Sequence, residues 1–195
     1  MPSTSPETPS LAPPGAGLPF PELWIARLLF SFSRWSYQRE TATDSFRREQ
    51  NNIELLLTQC PPDSKNRRIL IPRLRGLEDS SRDWSIWMTL DHLRITNTAF
   101  ANIIRNLAQN VVPSGVASTA AVKPSPHATS LVLQAYTDSC SEFLKVIQEN
   151  PNLDTTVQFA HPWFGSMNAE SWHLLAGLHM RIHRKQIEAI LEQLH

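Results

Sequence analysis

Apolar residues recur at helical spacing through most of the chain. Between Glu22 and Gln59, a stretch with no internal Pro or Gly, Leu28, Phe32, Trp35, Ala42, Phe46, Ile53 and Leu56 follow one another at intervals of three, four and seven. That pattern predicts one long helix with a narrow apolar seam, stopped by Pro61 and Pro62. A second helix is expected from an N-cap at Ser80 or Ser81 to about Gln109, and a third over roughly Thr129 to Gln148. A fourth is expected from an Asn168 N-cap to about Leu194, with Glu170 placed where a negative charge suits the helix dipole. Pro and Gly break the connections, and no stretch alternates apolar and polar positions long enough to predict a sheet. Even Ser130 to Leu133 falls inside a longer helical pattern. The expected architecture is all-α, a four-helix bundle with long connections.

Composition narrows the class. The chain has 195 residues, which suits one domain. Residues 1–21 hold seven of the fifteen prolines and are expected to form a flexible or loosely draped tail, leaving 22–195 as a single folded unit. Eighteen basic residues balance eighteen acidic ones, which argues against a nucleic-acid partner. No apolar run is long enough to cross a membrane, and the N-terminus does not read as a secretory signal. Cys60 and Cys140 are too few for a disulfide framework, so the expected location is a reducing, cytoplasmic one.

The histidines carry the candidate chemistry. His179 and His183 stand four apart, one turn from each other on one face. They share a stripe with Trp172, Ala176, Ile187, Ile190 and Leu194, so both are expected to point into the bundle. His92 lies on a similar stripe with Ser85, Met88, Ile95, Thr96, Ala99 and Ile103. A lone inward histidine is usually satisfied by a neighbouring polar group. Three on two helices would supply three neutral nitrogen ligands and leave positions open on a metal, as catalytic sites do. Imidazole ligands suit zinc, nickel, iron or copper without choosing among them.

At this point the residues resemble a known family. Trp84-Ser85 followed by His92-Leu93, then His161-Pro162-Trp163-Phe164-Gly165, Trp172, His179, His183 and Gln186-Ile187, resemble in order and spacing the signature of the DinB/YfiT-like metalloenzymes. The resemblance is strongest over about 80–108 and 158–194. It implies a four-helix bundle, often dimeric, with a divalent metal (zinc or nickel, with iron as a further option) on His92, His179 and His183. It also implies chemistry with low-molecular-weight thiols, since relatives include thiol-using transferases and an isomerase.

Around those ligands, Trp84, Met88, His161, Trp163 and Gln186 are the expected pocket or supporting residues. For His161 a loop-fixing hydrogen bond competes with a place at the site mouth, and for Trp163 and Phe164 core packing competes with walling a pocket. His173 lies about 120° around the helix from His179 and is not expected to reach the same metal. His127 and His195 read as solvated, and Asp91 as a surface or inter-helix group. Neither cysteine reads as a nucleophile, and the arginines between 67 and 82 read as a solvated connector. The expected function is that of a metal-dependent enzyme, a transferase or hydrolase. The metal would activate a thiol or a water against a small electrophilic substrate. The alternative is a non-catalytic dimeric helical bundle whose metal is structural or absent.

Overall fold

A computed structural model of the chain describes residues 10–194. Five α-helices make up most of it: α1 (Phe20–Trp35), α2 (Arg39–Gln59), α3 (Ile86–Ala108), α4 (Val132–Glu149) and α5 (Ala169–Glu192). The last four form the bundle. Helix α5 packs along both α2 and α3, α3 packs along α4, and a lighter α2–α4 contact closes the ring. Phe46 of α2 stacks on Phe143 of α4 at 4.3 Å between ring centroids, and Ile53, Leu90, Leu93, Ile104 and Ile187 are fully buried around them. Gly177 sits where α5 meets α2. A Cβ there would stand 3.3 Å from Ser45 Oγ and 3.4 Å from the Phe46 amide nitrogen, so the residue permits a close helix crossing.

The single long N-terminal helix expected from the sequence is two helices. Helix α1 ends at Trp35, and Gln38 is extended before α2 begins. Neither Pro nor Gly marks the break; tertiary hydrogen bonds impose it. The Tyr37 hydroxyl reaches His173 Nδ1 at 2.8 Å, and the Arg39 guanidinium donates to the carbonyls of Ile147, Asn150 and Pro151 at the end of α4. Those carbonyls have no partner inside their own helix, so a guanidinium is well placed to satisfy them. The expected seam accordingly holds only in α2, where Ala42, Phe46 and Ile53 are buried. Leu28, Phe32 and Trp35 are exposed, and Phe30 is the buried residue of α1.

Two further expectations are corrected. The second helix is capped by Ser85, whose Oγ accepts the Met88 amide at 3.2 Å, and not by Ser80 or Ser81, which lie in a 3₁₀ turn over Asp79–Ser81. Two short antiparallel ribbons also exist: β1 (Ile69–Leu70) with β2 (Asp83–Trp84), and β3 (Phe159–His161) with β4 (Gly165–Met167). Strands of two and three residues cannot display an alternation in sequence. Gly165 takes φ +70° at the end of the second hairpin's turn, a conformation that favours glycine. Both ribbons deliver side chains to one place. The first brings Trp84 against His92 and His183, and the second brings His161 against Trp172.

Residues 1–9 of the Pro-rich segment lie outside the described residues. Over 10–19 the chain is laid against the 78–79 turn, with the Ala12 amide on Asp79 Oδ2 at 2.8 Å and the Gly17 amide on Glu78 Oε1 at 3.3 Å.

Candidate metal centre

Helix α3 contributes His92, and α5 contributes His179 and His183 one turn apart. The Asn168 side chain caps α5 by accepting the Ser171 amide at 3.1 Å, and the packing of α5 on α3 brings both histidines beside His92. One ring nitrogen from each of the three lies within 4.8 Å of the others, and His92 Nε2 is 3.1 Å from His179 Nε2. Nitrogens about 2.0–2.1 Å from a tetrahedral ion are separated by about 3.4 Å, so the spacing fits one metal.

The hydrogen-bond network assigns the tautomers. His92 Nδ1 is 2.7 Å from the Val122 carbonyl, which can only accept, so the proton is on Nδ1 and Nε2 is bare. His183 Nδ1 is 2.7 Å from Gln186 Oε1, and the Gln186 amide is oriented by donating from Nε2 to the Ser81 carbonyl at 2.7 Å. His183 therefore also carries its proton on Nδ1. Two imidazoles have their outer nitrogens anchored and their Nε2 lone pairs free, which is how ligating histidines are held. His179 completes the set, and its Nδ1 is buried without a hydrogen-bond partner.

Burial keeps these rings neutral. It pushes His92 down to about 4, and it lowers His183 and His179 well below 6.5, with the neighbouring histidines adding to the effect. Neutral imidazole is the form that binds metal. The donor set, the anchored tautomers and the spacing all fit a divalent transition ion.

The remaining expected residues divide by what they touch. Trp84 stacks nearly parallel to the His183 ring, with centroids 6.1 Å apart, and lies 5.2 Å from His92. Met88 is buried in the first turn of α3 but does not border the cavity described below. His161 Nδ1 accepts the Trp163 amide at 3.1 Å, fixing the hairpin turn, while its ring borders the cavity. Trp163 and Phe164 border that cavity too. His173 is remote from the cluster: it accepts from the Tyr37 hydroxyl and meets Thr43 Oγ1 at 3.2 Å. Asp91 is buried, holding Arg94 through Oδ1 and the Ser125 amide through Oδ2, so it pins the 110–131 loop that carries Val122. His127 is exposed, and His195 lies outside the described residues. Burial pushes the Cys140 thiol up to about 12, far from nucleophilic range.

The three histidines open onto a cavity of about 580 Å³. Its walls include Phe100, Phe159, Phe164 and Trp172, and the N-terminal segment closes one side with Leu18 and Phe30. Arg27 locks that side by donating from Nε to the Trp163 carbonyl at 2.6 Å. At the edge, Glu78 accepts from Lys123 Nζ at 2.6 Å and from Thr119 Oγ1 at 2.8 Å. Burial alone would raise the Glu78 carboxyl, but these donors outweigh it and hold it below its usual range. Sequence reasoning missed Val122, Leu18, Phe30 and Glu78. A backbone carbonyl leaves no trace in a side-chain pattern, and the N-terminal segment offers no spacing that points to this cavity.

No curated protein matches the chain. Among solved structures, it is similar to the four-helix bundle protein TT2238, with a TM-score of 0.57 at 18% identity, covering 78% of this chain and 99% of that one. That likeness shows the fold. The DinB superfamily profile matches residues 45–187, from the middle of α2 into α5 and across all three histidines. The chain belongs to the DinB superfamily.

Proposed function

We propose that this protein is a metal-dependent enzyme in which His92, His179 and His183 hold one divalent transition ion, zinc or nickel before iron. The carrying observation is that Val122 and Gln186 fix two outer nitrogens, so that two bare Nε2 atoms face the third histidine beside an apolar cavity. When bound, such an ion supplies Lewis acidity and lowers the pKa of a coordinated water or thiol. The reaction class is attack by a low-molecular-weight thiol or a water on a small electrophile. The residues of the chain position and enclose the reactants. Trp84 covers the cluster from the β1–β2 side, and aromatic walls line the cavity beside it. His161, its Nδ1 occupied by the Trp163 amide, keeps its proton on Nε2 and can donate it to a ligand in the cavity.

Elemental analysis of untagged protein tests this reading. About one ion per chain is expected, lost in His92→Ala and His179→Ala, followed by turnover in a screen of thiols and electrophiles. A folded protein that takes up neither zinc nor nickel would overturn it, and a non-catalytic bundle would remain.

One observation also supports a homodimer. Phe20, Trp24, Leu28, Phe32 and Trp35 form an outward stripe on α1, with Ile25 beside it, all at least half exposed. Side chains of these types at such exposure present roughly 800 Å² of apolar surface, about what each partner contributes to a standard interface. A second copy of the chain is the proposed occupant. Sedimentation of the full chain is expected to give a dimer that Phe32→Ser with Trp35→Ser converts to monomer.

A further inference from the structure

We infer that the substrate of this site is an apolar molecule bearing one anionic group. Its body occupies the aromatic cavity, and its charge is met by a basic rim of Arg75, Arg181 and Lys185. The inference rests on the reading of the three-histidine cluster as the reacting centre and adds the class of molecule brought to it.

The rim stands out by what its members lack. Arg75, Arg181 and Lys185 border the same cavity as the histidines, and all three are exposed. Among the described residues none of them forms an ion pair or a side-chain hydrogen bond. Their neighbours do. Arg73 pairs with Glu22, Arg82 with Asp79, Arg184 with Glu49 and Glu188, and Lys123 with Glu78. The three rim residues come from two elements that meet. Arg181 and Lys185 are one turn apart on α5, and Arg75 precedes Gly76, where a Cβ would stand 3.0 Å from Ile182 Cδ1. Glu78 is the one carboxylate among the residues bordering the cavity, and Lys123, Thr119 and the Gly17 amide already engage it.

The physical consequence is selectivity for a particular kind of amphiphile. Walls of aromatic and aliphatic side chains reward burial of a hydrocarbon body. A mouth lined by one sign of charge over low-dielectric walls focuses its field on an incoming anion. Three exposed cations together give roughly a tenfold preference for an anionic ligand over its neutral counterpart, falling as salt is raised.

Calorimetric titration of metal-free protein with decanoate and with decanol, both monomeric in solution, tests the inference. Working without metal removes direct carboxylate–ion binding from the comparison. Decanoate is expected to bind about tenfold more tightly than decanol, and Arg75→Gln, Arg181→Gln and Lys185→Gln together are expected to abolish the difference while leaving decanol unchanged. Ala99→Phe, which places a ring in the cavity, is expected to weaken both. Phe32→Ser with Trp35→Ser, on the outward face of α1, is expected to weaken neither. Equal binding of the two ligands, a preference that survives the triple substitution, or binding that follows the α1 variant instead of Ala99→Phe would overturn the inference. Zinc content of the triple variant is measured alongside it. A metal-free chain in every form refutes the metal reading alone, because the ligand preference is read without metal.

Discussion

Gln186 orients His183. Its Oε1 accepts the imidazole Nδ1 proton at 2.7 Å, and its amide nitrogen donates to the Ser81 carbonyl at 2.7 Å, so neither the amide nor the ring can turn without losing a buried hydrogen bond. The two residues are three apart on α5, and the Ser81 carbonyl comes from the turn preceding β2.

Replacing Gln186 by Leu removes the acceptor and frees the His183 ring. Groups that orient a ligating histidine typically contribute 10–100-fold to metal affinity. Zinc affinity, measured by competition with a chelating dye, is expected to drop by that factor while the circular dichroism spectrum stays helical. Unchanged affinity would mean that His183 does not ligate through Nε2.

His173 gives the fold a pH dependence that is independent of any metal. Thr43 Oγ1 donates its own proton to the Arg39 carbonyl, so His173 Nε2 donates to Thr43, and Nδ1 accepts from Tyr37. Burial, assisted by the Arg39 charge, lowers His173 to about 4. The unfolded chain binds this proton near 6.5 and the folded chain only near 4, so stability is fully present above 6.5 and is lost as the pH falls through that window. At pH 5 the loss from this residue is about 2 kcal/mol. Urea denaturation of wild type and His173→Gln at pH 7.5 and 5 measures it, and the variant is expected to show the smaller decline.

Glu49 and Arg184 join α2 to α5 through a contact of 2.6 Å between largely buried side chains. Glu49→Ala leaves Arg184 with Glu188 alone. Breaking a buried pair from one side costs about 3–5 kcal/mol, and the retained partner reduces the expected cost here to about 2–3 kcal/mol. A change below about 0.5 kcal/mol in urea denaturation, the size of an ordinary surface substitution, would show that water replaces the carboxylate at no cost.

Phe30 holds α1 to the body of the protein by packing on Phe164, with centroids 4.4 Å apart. Phe30→Ala removes about 3–5 kcal/mol of packing. Because Phe30 is the buried residue of α1, the loss is expected to fall on that helix and not on the bundle. Hydrogen exchange should accelerate across 20–35 and stay slow in α3 and α5; uniform acceleration would show that α1 is part of the cooperative core.

The sequence by itself determined most of the helical stretches and the inward faces of α3 and α5. Spacing placed His92, His179 and His183 on apolar stripes, and Asn168 announced the start of α5, because helical periodicity and capping are local properties. Only the tertiary structure decided what those faces meet. The break at Ser36–Gln38 has no local signal, since Tyr37 and Arg39 find their partners more than a hundred residues away. The ribbons are too short to show a period, yet they carry Trp84 and His161 to the histidines. The Val122 carbonyl that fixes His92 is a backbone group common to every residue type, and Arg75, Arg181 and Lys185 read in the sequence like any solvated cations. A pattern along a chain reports the environment a residue prefers. The identity of its partner depends on distances in space that no local pattern contains.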